Sequence, residues 1–290
     1  MTKVDSYRSA VIAVAASASL NSTAGLIVRQ VEVASEWQII AWRGIGVVVG
    51  LSFIFCIQER GRILASCRQL SGWLLLGALF QSVASICYIH ALQNTTVANA
   101  LFVLSAAPLA TAVLARIFLA EQVSRATWVA MFVALLGVVV MVGDGVVSGT
   151  GFGNLMALCA MFCFSAFVVV LRRGRAVNML PVVVLSWVVS LAAGIGMAGG
   201  DLSVPLGDAL FVLLWGVVIS SVMYCMLTYG SRHVPGAEVA LLVQLEFVLG
   251  PLWVWLFVGE EPSRLTLLGG VTVLAAVMGR GLVMARQTSR

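Results

Sequence analysis

LSAAPLATAVLARIFLAEQVSRATWVAM, residues 104–131, and VQLEFVLGPLWVWLFVGEEPSRLTLLGG, residues 243–270, share one pattern. In each stretch a long apolar run is interrupted by Glu, two further residues and Ser-Arg, after which the apolar run resumes. The matching residues lie at a constant offset of 139 residues: Glu121 with Glu260, Ser124 with Ser263, and Arg125 with Arg264. The constant offset favours two copies of one unit. The alternative is chance similarity between two helix starts, with Ser124 and Ser263 acting only as N-caps.

The composition of the chain is that of an integral membrane protein. Hydrophobic residues make up 61% of the 290 residues, and charged residues only 10%. Soluble domains carry about 25% charged residues, so this chain has too little charge to cover a soluble globule. The net charge of +5 comes from residues between the apolar runs, which argues against a nucleic-acid-binding face.

A membrane-spanning helix needs about 20 apolar residues, and the chain contains ten runs of about that length. The gaps between them are short, so no soluble domain is expected. The predicted spans are 7–28, 36–57, 72–92, 96–119, 124–143, 151–171, 179–199, 208–230, 236–258 and 264–285.

The distribution of cations supports ten spans with both termini in the cytoplasm, where Lys and Arg accumulate. With that orientation twelve cations lie inside and two, Arg29 and Arg264, lie outside. The inside set is Lys3, Arg8, Arg60, Arg62, Arg68, Arg125, Arg172, Arg173, Arg175, Arg232, Arg286 and Arg290. Short loops on both sides fit a bacterial inner membrane, that is, a plasma membrane.

Because five spans per copy is an odd number, a second copy must cross the membrane in the opposite direction. We therefore predict an all-α polytopic membrane protein whose ten transmembrane helices form two inverted five-helix repeats, residues 1–145 and 146–290. Inverted repeats of this kind are typical of secondary transporters, which bind substrate near the midplane between the two halves.

The chain resembles EamA-type members of the drug/metabolite transporter superfamily over nearly its whole length. The resemblance rests on these residues: Tyr88, Ala91, Ala98, Leu104, Pro108 and Glu121 in the first repeat, and Ala237, Leu245, Glu246 and Glu260 in the second. The family often has an Arg in the second span, where Arg43 lies, and Leu-Glu-Pro in the ninth. Here that motif reads Leu245-Glu246-Phe247, with Pro251 one turn later. The resemblance implies a ten-helix transporter of amino acids, drugs or other metabolites, most often an exporter.

Two charges within the apolar runs are the first candidates for a substrate or coupling site. A charge at this depth costs roughly 3 kcal/mol and persists mainly where it faces a cavity or a partner. Glu246 lies near the middle of the ninth span. It is a candidate proton carrier or a candidate ligand for a substrate amine. Arg43, in the second span, can clamp a substrate carboxylate with its forked donors. Structural hydrogen bonding for Glu246 and snorkelling for Arg43 are the alternatives.

Other polar and aromatic residues are weaker candidates. Gln81 and Gln244 are amides in mid-span, which either bind substrate or bond to a neighbouring helix. His90 and Tyr229 match at the 139-residue offset and can face one cavity from opposite halves. For His90, near the outer end of its span, a capping or interfacial role is the alternative. Trp42, Tyr88 and Tyr224 can add an aromatic wall, whereas most of the eight tryptophans are expected at the membrane interface.

Close helix packing is expected at two glycine spacings, residues 46–50 and residues 196–200. The small residues of these segments let two helices approach closely, within one protomer or at a dimer interface. The spacings therefore leave the chain's oligomeric state open between monomer and homodimer.

The chain lacks the short motifs of hydrolases, zinc proteases and nucleotide-binding loops. We expect neither enzyme activity nor a cofactor or metal, and the partners to be a small-molecule substrate, the bilayer and, as a candidate coupling ion, the proton. The predicted function is export of a small metabolite such as an amino acid, aromatic ones included. The alternatives are an importer or facilitator, a membrane enzyme acting on lipid, and a non-transporting scaffold.

Overall fold

A computed structural model describes residues 3–59, 72–120, 122–147, 149–173, 180–234 and 236–288. Every regular element in these ranges is helical. The helices are α1 (Lys3–Asn21), α2 (Ala24–Gln30), α3 (Glu36–Glu59), α4 (Gly72–Asn94), α5 (Val97–Leu104), α6 (Ala107–Leu119), α7 (Arg125–Val147), α8 (Gly151–Arg173), α9 (Leu180–Met197), α10 (Leu206–Leu214), a π-helical segment (Trp215–Ser220), α11 (Ser221–His233), α12 (Gly236–Val258) and α13 (Arg264–Thr288).

Eight candidate spans in the described ranges are long and apolar enough to cross a membrane. They are Tyr7–Gln30, Glu36–Ile57, Gly72–Asn94, Val97–Leu119, Arg125–Gly143, Gly151–Leu171, Leu206–Leu227 and Leu241–Val258. They coincide with eight of the ten predicted spans. Of the other two, α9 contributes a shorter apolar helix, Pro181–Met197, and α13 overlaps the predicted span 264–285 without being one of the eight. The count of ten therefore stays a prediction.

The repeated Ser-Arg motif begins a helix in both places. The Ser124 hydroxyl accepts a hydrogen bond from the Thr127 backbone N–H at 3.2 Å, and Ser263 accepts one from Thr266 at 3.0 Å. This is the N-cap arrangement, in which the side chain satisfies a backbone donor at the third helical residue. Both serines are therefore N-caps, whatever the origin of the repeat. Glu121, the third member of the first motif, lies outside the described residues.

The two helices that begin with this motif run antiparallel. Near the end of α13, Arg280 donates from Nε to the Thr127 hydroxyl at 2.7 Å and from Nη2 to the Ser124 hydroxyl at 3.0 Å. Further along, a Cβ added to Gly137 would lie 2.6 Å from the Gly269 carbonyl oxygen, and a Cβ on Gly269 would lie equally close to the Gly137 carbonyl oxygen. Helix α13 therefore ends where α7 begins, and the backbones touch between those points.

Several pairs of packed helices, each made of one helix from either half, have a counterpart pair in which the matching spans exchange roles. The pair α4–α8 is repeated by α11–α1, the pair α6–α8 by α12–α1, and α4–α9 by the π segment with α3. Helices α3 and α9 also pack on each other, as do α7 and α13. Each half therefore interlocks with the other, and the space enclosed by these contacts is lined by both.

Small residues allow the contact between α3 and the π segment. A Cβ on Gly46 would lie 2.5 Å from the Leu213 carbonyl oxygen, and one on Gly50 would lie 2.8 Å from that of Val217. The packing expected at residues 46–50 is thus confirmed. At residues 196–200 a Cβ added to any of the three glycines would meet nothing within 4 Å among the described residues, so close packing there within one protomer is not found and a contact at a dimer interface stays a prediction. Positive φ angles of 66° at Gly199 and 80° at Gly200 instead end α9.

An ion pair ties both halves together at one end of the bundle. Arg29 Nε lies 2.7 Å from Glu260 Oε2, and the other two guanidinium nitrogens donate to the carbonyl oxygens of Leu92 and Thr95 at 2.7 and 2.8 Å. The second Glu260 oxygen accepts the Val97 backbone N–H at 2.6 Å, at the start of α5. One carboxylate and one guanidinium therefore join the ends of α2, α4 and α5 to the loop before α13.

We predict that Gly137→Ala destabilises the fold by about 1–3 kcal/mol, because overpacking a backbone contact forces the two helices apart. The matched control is Gly143→Ala on the same helix, where a Cβ meets nothing within 4 Å and where alanine favours the helix by about 0.5–1 kcal/mol. Thermal unfolding in detergent measures both. Equal melting temperatures for the two variants would contradict the close contact.

We also predict that Glu260→Gln lowers the free energy of unfolding by about 1–3 kcal/mol, since Arg29 loses its charged partner while both remain mostly buried. Glu261→Gln, at the exposed neighbouring position, should change it little. In a double-mutant cycle with Arg29→Gln, the two effects should be non-additive. Simple additivity would show that the pair does not act as a unit.

Candidate functional site

A cavity of about 150 Å³ lies between the two halves, inside the bundle. Its walls come from α1, α3, α4, α5, α6, α8, α9, α11 and α12. Most of its lining is apolar, and the polar side chains that reach it are Ser17, Asn21, Arg43, Gln81, Ser85, Tyr88, Tyr224 and Glu246. An apolar cavity with a few converging polar groups is the usual form of a small-molecule site.

The cavity lining repeats itself at the offset that relates the two Ser-Arg motifs. Six pairs of lining residues are separated by 139 positions: Asn21 with Ala160, Ala84 with Met223, Ser85 with Tyr224, Tyr88 with Leu227, Leu104 with Val243, and Ala107 with Glu246. In several of these pairs one member is polar and the other apolar. The walls therefore match in position but differ in chemistry.

Arg43 is buried in this cavity between two indole rings. Its side chain is 4% exposed, and its guanidinium carbon lies 4.8 Å from the ring centre of Trp187 and 3.9 Å from that of Trp215. A cation over an aromatic face is attracted by the ring quadrupole, more strongly when water is excluded. Nη2 also lies 3.5 Å from the Ser220 hydroxyl. In the part of the chain that the structure describes, no carboxylate lies within ion-pair distance of Arg43.

The π-helical segment places two of the groups around Arg43. Trp215 begins the segment and Ser220 ends it, and π-turns of this kind often occur at functional sites. The segment is pressed on α3, where a Cβ on Gly216 would lie 2.5 Å from the Arg43 carbonyl oxygen. The glycine contact therefore brings the indole of Trp215 close enough to cover the guanidinium.

Glu246 projects into the cavity from α12 and is 8% exposed. It accepts a hydrogen bond from Asn21 Nδ2 at 2.6 Å. Asn21 is the last residue of α1, just before the break that separates it from α2. The Trp253 indole N–H, on α12, donates to the Ser22 hydroxyl at 2.9 Å and holds this break against α12. Glu246 and Arg43 both line the cavity without forming an ion pair.

Gln81, Tyr88 and Tyr224 complete the polar wall. Gln81 Nε2 lies 3.4 Å from the hydroxyls of both Ser85 and Tyr224, which makes two long hydrogen bonds. Among the described residues, the Gln81 carbonyl oxygen and the Tyr88 hydroxyl have no protein partner. These atoms are free to bond to a solute or to water in the cavity.

Five residues predicted from the sequence therefore meet at one cavity: Arg43, Gln81, Tyr88, Tyr224 and Glu246. The other four do not line it. The Trp42 indole N–H donates to the Leu202 carbonyl oxygen at 3.2 Å, and the His90 ring lies 4.7 Å from that of Trp37. The Tyr229 hydroxyl lies 3.1 Å from Ser9 Oγ. Gln244 is 2% exposed, and its amide has no protein partner within the described ranges.

Three polar residues and one tryptophan of the cavity lining were not predicted as site residues from the sequence: Asn21, Ser17, Ser85 and Trp187. Trp187 and Trp215 also depart from the expected interfacial position, because they are 2% and 1% exposed. The i, i+4 spacing of Ser17 and Asn21 in an apolar run was a usable signal, since it places both on one helix face. The tryptophans offered no such signal.

Comparisons with known proteins agree with a transporter of this kind. The EamA-like transporter family matches residues 8–143 and 151–280, and so covers most of the chain in two matches. The pseudopaline exporter of Pseudomonas aeruginosa strain UCBPP-PA14 is 24% identical over 79% of this chain and 81% of its own length. The riboflavin transporter of Rhizobium johnstonii is 23% identical over 78% of this chain and 76% of its own length.

The fold has a counterpart among solved structures. A crystal structure at 19% sequence identity superimposes with a TM-score of 0.66 and covers 95% of this chain and 99% of the other. At this identity the likeness concerns the fold alone. The two family matches together cover most of the chain, so this multi-pass membrane protein, which moves small molecules, belongs to the EamA-like transporter family.

Proposed function

We propose that this protein is a secondary transporter that exports a small zwitterionic metabolite, with amino acids, including aromatic ones, as the substrate class. The observation that carries the proposal is one cavity that contains a buried cation and a buried anion not paired with each other. Arg43 is the binding group for a carboxylate, and Glu246 is the binding group for an amine.

The energetics of burial favour a substrate of both charges. Each charge at membrane depth costs roughly 3 kcal/mol unless it finds a partner. Arg43 has the indoles of Trp187 and Trp215 as neighbours, and Glu246 has the amide of Asn21. These contacts hold the two groups in place but leave both charges uncompensated. A zwitterion that bridges them would pair each charge and add no net charge to the cavity.

The size and lining of the cavity support a small substrate with at most one ring. A cavity of roughly 150 Å³ can hold one benzene molecule, which is the volume found here. Pockets for drug-sized ligands are about 300–1,000 Å³. Tyr88, Phe164, Trp187 and Tyr224 line the cavity, and they offer faces and edges on which an aromatic side chain can pack.

Alternating access between two inverted five-helix repeats, residues 1–145 and 146–290, is the mechanism we propose. Three observations support it: the repeated N-cap, the antiparallel contact of α7 with α13, and the six lining pairs at one offset. In carriers of this design one repeat rocks against the other around a central site. The ten-span arrangement with both termini in the cytoplasm, in a bacterial inner membrane, belongs to the same proposal.

Export is the direction we propose, with protons as the coupling ion. One relative at 24% identity is named a pseudopaline exporter, and another at 23% is named a riboflavin transporter. Glu246 is the one acidic side chain in the cavity lining within the described residues, so it is the group that can carry a proton when substrate is absent. Import or facilitated diffusion through the same cavity is the alternative.

We predict that Glu246→Gln abolishes acceleration of transport by an imposed pH gradient, because an amide cannot exchange a proton. The measurement is uptake of a labelled amino-acid panel into proteoliposomes, with and without the gradient. Saturable transport that ignores both the gradient and the substitution would indicate a facilitator, in which Glu246 is structural. If no amino acid in the panel is transported, a membrane enzyme and a non-transporting scaffold become the remaining explanations.

We predict that Arg43→Lys weakens substrate binding by about tenfold or more, because an ammonium loses both the bidentate fork and the stacking between two indoles. The apparent KM for the transported amino acid measures this. Arg116→Lys on α6 is the control, since Arg116 is exposed and lies outside the cavity lining. An unchanged KM in Arg43→Lys would remove Arg43 from the substrate site.

A further inference from the structure

The contact between Asn21 and Glu246 fixes which way the Asn21 amide points. An ionised carboxylate only accepts hydrogen bonds, so the atom that faces it must be the amide nitrogen. Nδ2 lies 2.6 Å from Glu246 Oε1. The carbonyl oxygen of the same amide is therefore turned away from the carboxylate.

That oxygen, Asn21 Oδ1, is buried and has no protein partner among the described residues. Both Asn21 and Glu246 line the cavity. A buried acceptor without a donor costs about 1–3 kcal/mol, so in the state with Glu246 ionised the protein holds one acceptor unsatisfied next to an anion. The pair therefore offers a cation two acceptors of different kinds, one charged and one neutral.

Nearby groups do not supply the missing donor. One turn before Asn21, the Ser17 hydroxyl donates to the Val14 carbonyl oxygen at 2.7 Å. After Asn21, the Ser22 hydroxyl donates to the Ser19 carbonyl oxygen at 2.6 Å and accepts from Trp253. The backbone on either side is thus held by its own contacts, which keeps the Asn21 side chain in position.

We propose that Asn21 is a specificity-determining residue that selects substrates whose ammonium group carries at least two N–H donors. One donor bonds to Glu246 and the second to Asn21 Oδ1, so primary and secondary amines are accepted while tertiary and quaternary amines are disfavoured. The inference rests on the proposed function, in which Glu246 binds the substrate amine. It adds a selection by the number of N–H donors on the substrate ammonium group, which the charge of Glu246 alone does not impose.

The test is an amine series that lacks a carboxylate, so that Arg43 takes no part. The probes are phenethylamine and its N-methyl, N,N-dimethyl and N,N,N-trimethyl derivatives, which carry three, two, one and no N–H donors. Affinity for the full-length protein in detergent is measured by isothermal titration calorimetry. For the wild type we expect similar affinity for the first two probes and a loss of about tenfold or more at the third, where one charge-assisted bond disappears.

In Asn21→Leu, which has a similar volume, only Glu246 remains as an acceptor. The tenfold loss should then move from the dimethyl to the trimethyl probe. Ser17→Ala, on the same helix and also in the cavity lining, should keep the wild-type pattern. Because the result is a ratio within one variant, it does not depend on the folded fraction. If Asn21→Leu cannot be purified, Asn21→Ala removes the same acceptor.

A loss at the same probe in wild type and Asn21→Leu would overturn the proposal, as would a gradual decline with each added methyl group, which indicates steric exclusion. Amino-acid uptake by the same preparations separates this inference from the proposed function. A shift of the loss with Asn21→Leu in a protein that transports no amino acid would support the selection rule and overturn zwitterion transport. Amino-acid transport with no shift would do the reverse.

Discussion

A guanidinium group buried in the middle of an apolar bundle, with no carboxylate of the described residues beside it, constrains much of this structure. Arg43 is tolerated because two indoles cover its faces, and one of those indoles is available only because the chain makes a π-turn at Trp215. The π-turn in turn fits against α3 only because residues 46 and 216 are glycines. A single charge thus connects the choice of small residues, a local helical irregularity and the position of two aromatic rings.

The two halves share a scaffold but divide the chemistry between them. At the lining position where the second half has Glu246, the first has Ala107, and where the first has Asn21, the second has Ala160. A duplicated unit supplies matching walls because helix packing depends on shape and tolerates many side chains. Binding an asymmetric solute needs different groups at its two ends. Substitution of one member of each pair provides that difference without disturbing the packing.

The sequence predicted an all-helical membrane fold in two halves and more than half of the polar side chains in the cavity. Glu246 and Arg43 could be found because a charge inside an apolar run is costly and therefore informative. Ser124 and Ser263 could be found because N-caps precede apolar runs. Trp187, although it lies near the middle of the predicted span 179–199, could not, since tryptophan in a membrane protein usually lies at the interface. Asn21 was missed because an amide beside Ser and Thr is typical of a helix end, and only the packing of α12 against the break shows that it faces inward.

Among the described residues the ion pair of Arg29 with Glu260 has no counterpart at the opposite end of the bundle, and the residue 139 positions after Arg29 is Val168. At the other end, the ties between the first helix and the second half come from hydroxyl groups, such as Tyr7 with Glu238 and Ser9 with Tyr229. An ion pair at a partly exposed position is weakened by dissolved salt, whereas a hydroxyl bond is much less so. The two ends of the helical bundle therefore differ in their sensitivity to ionic strength. Under the proposed alternating access, dissolved salt on the side of the Arg29–Glu260 pair would shorten the time for which that end stays closed.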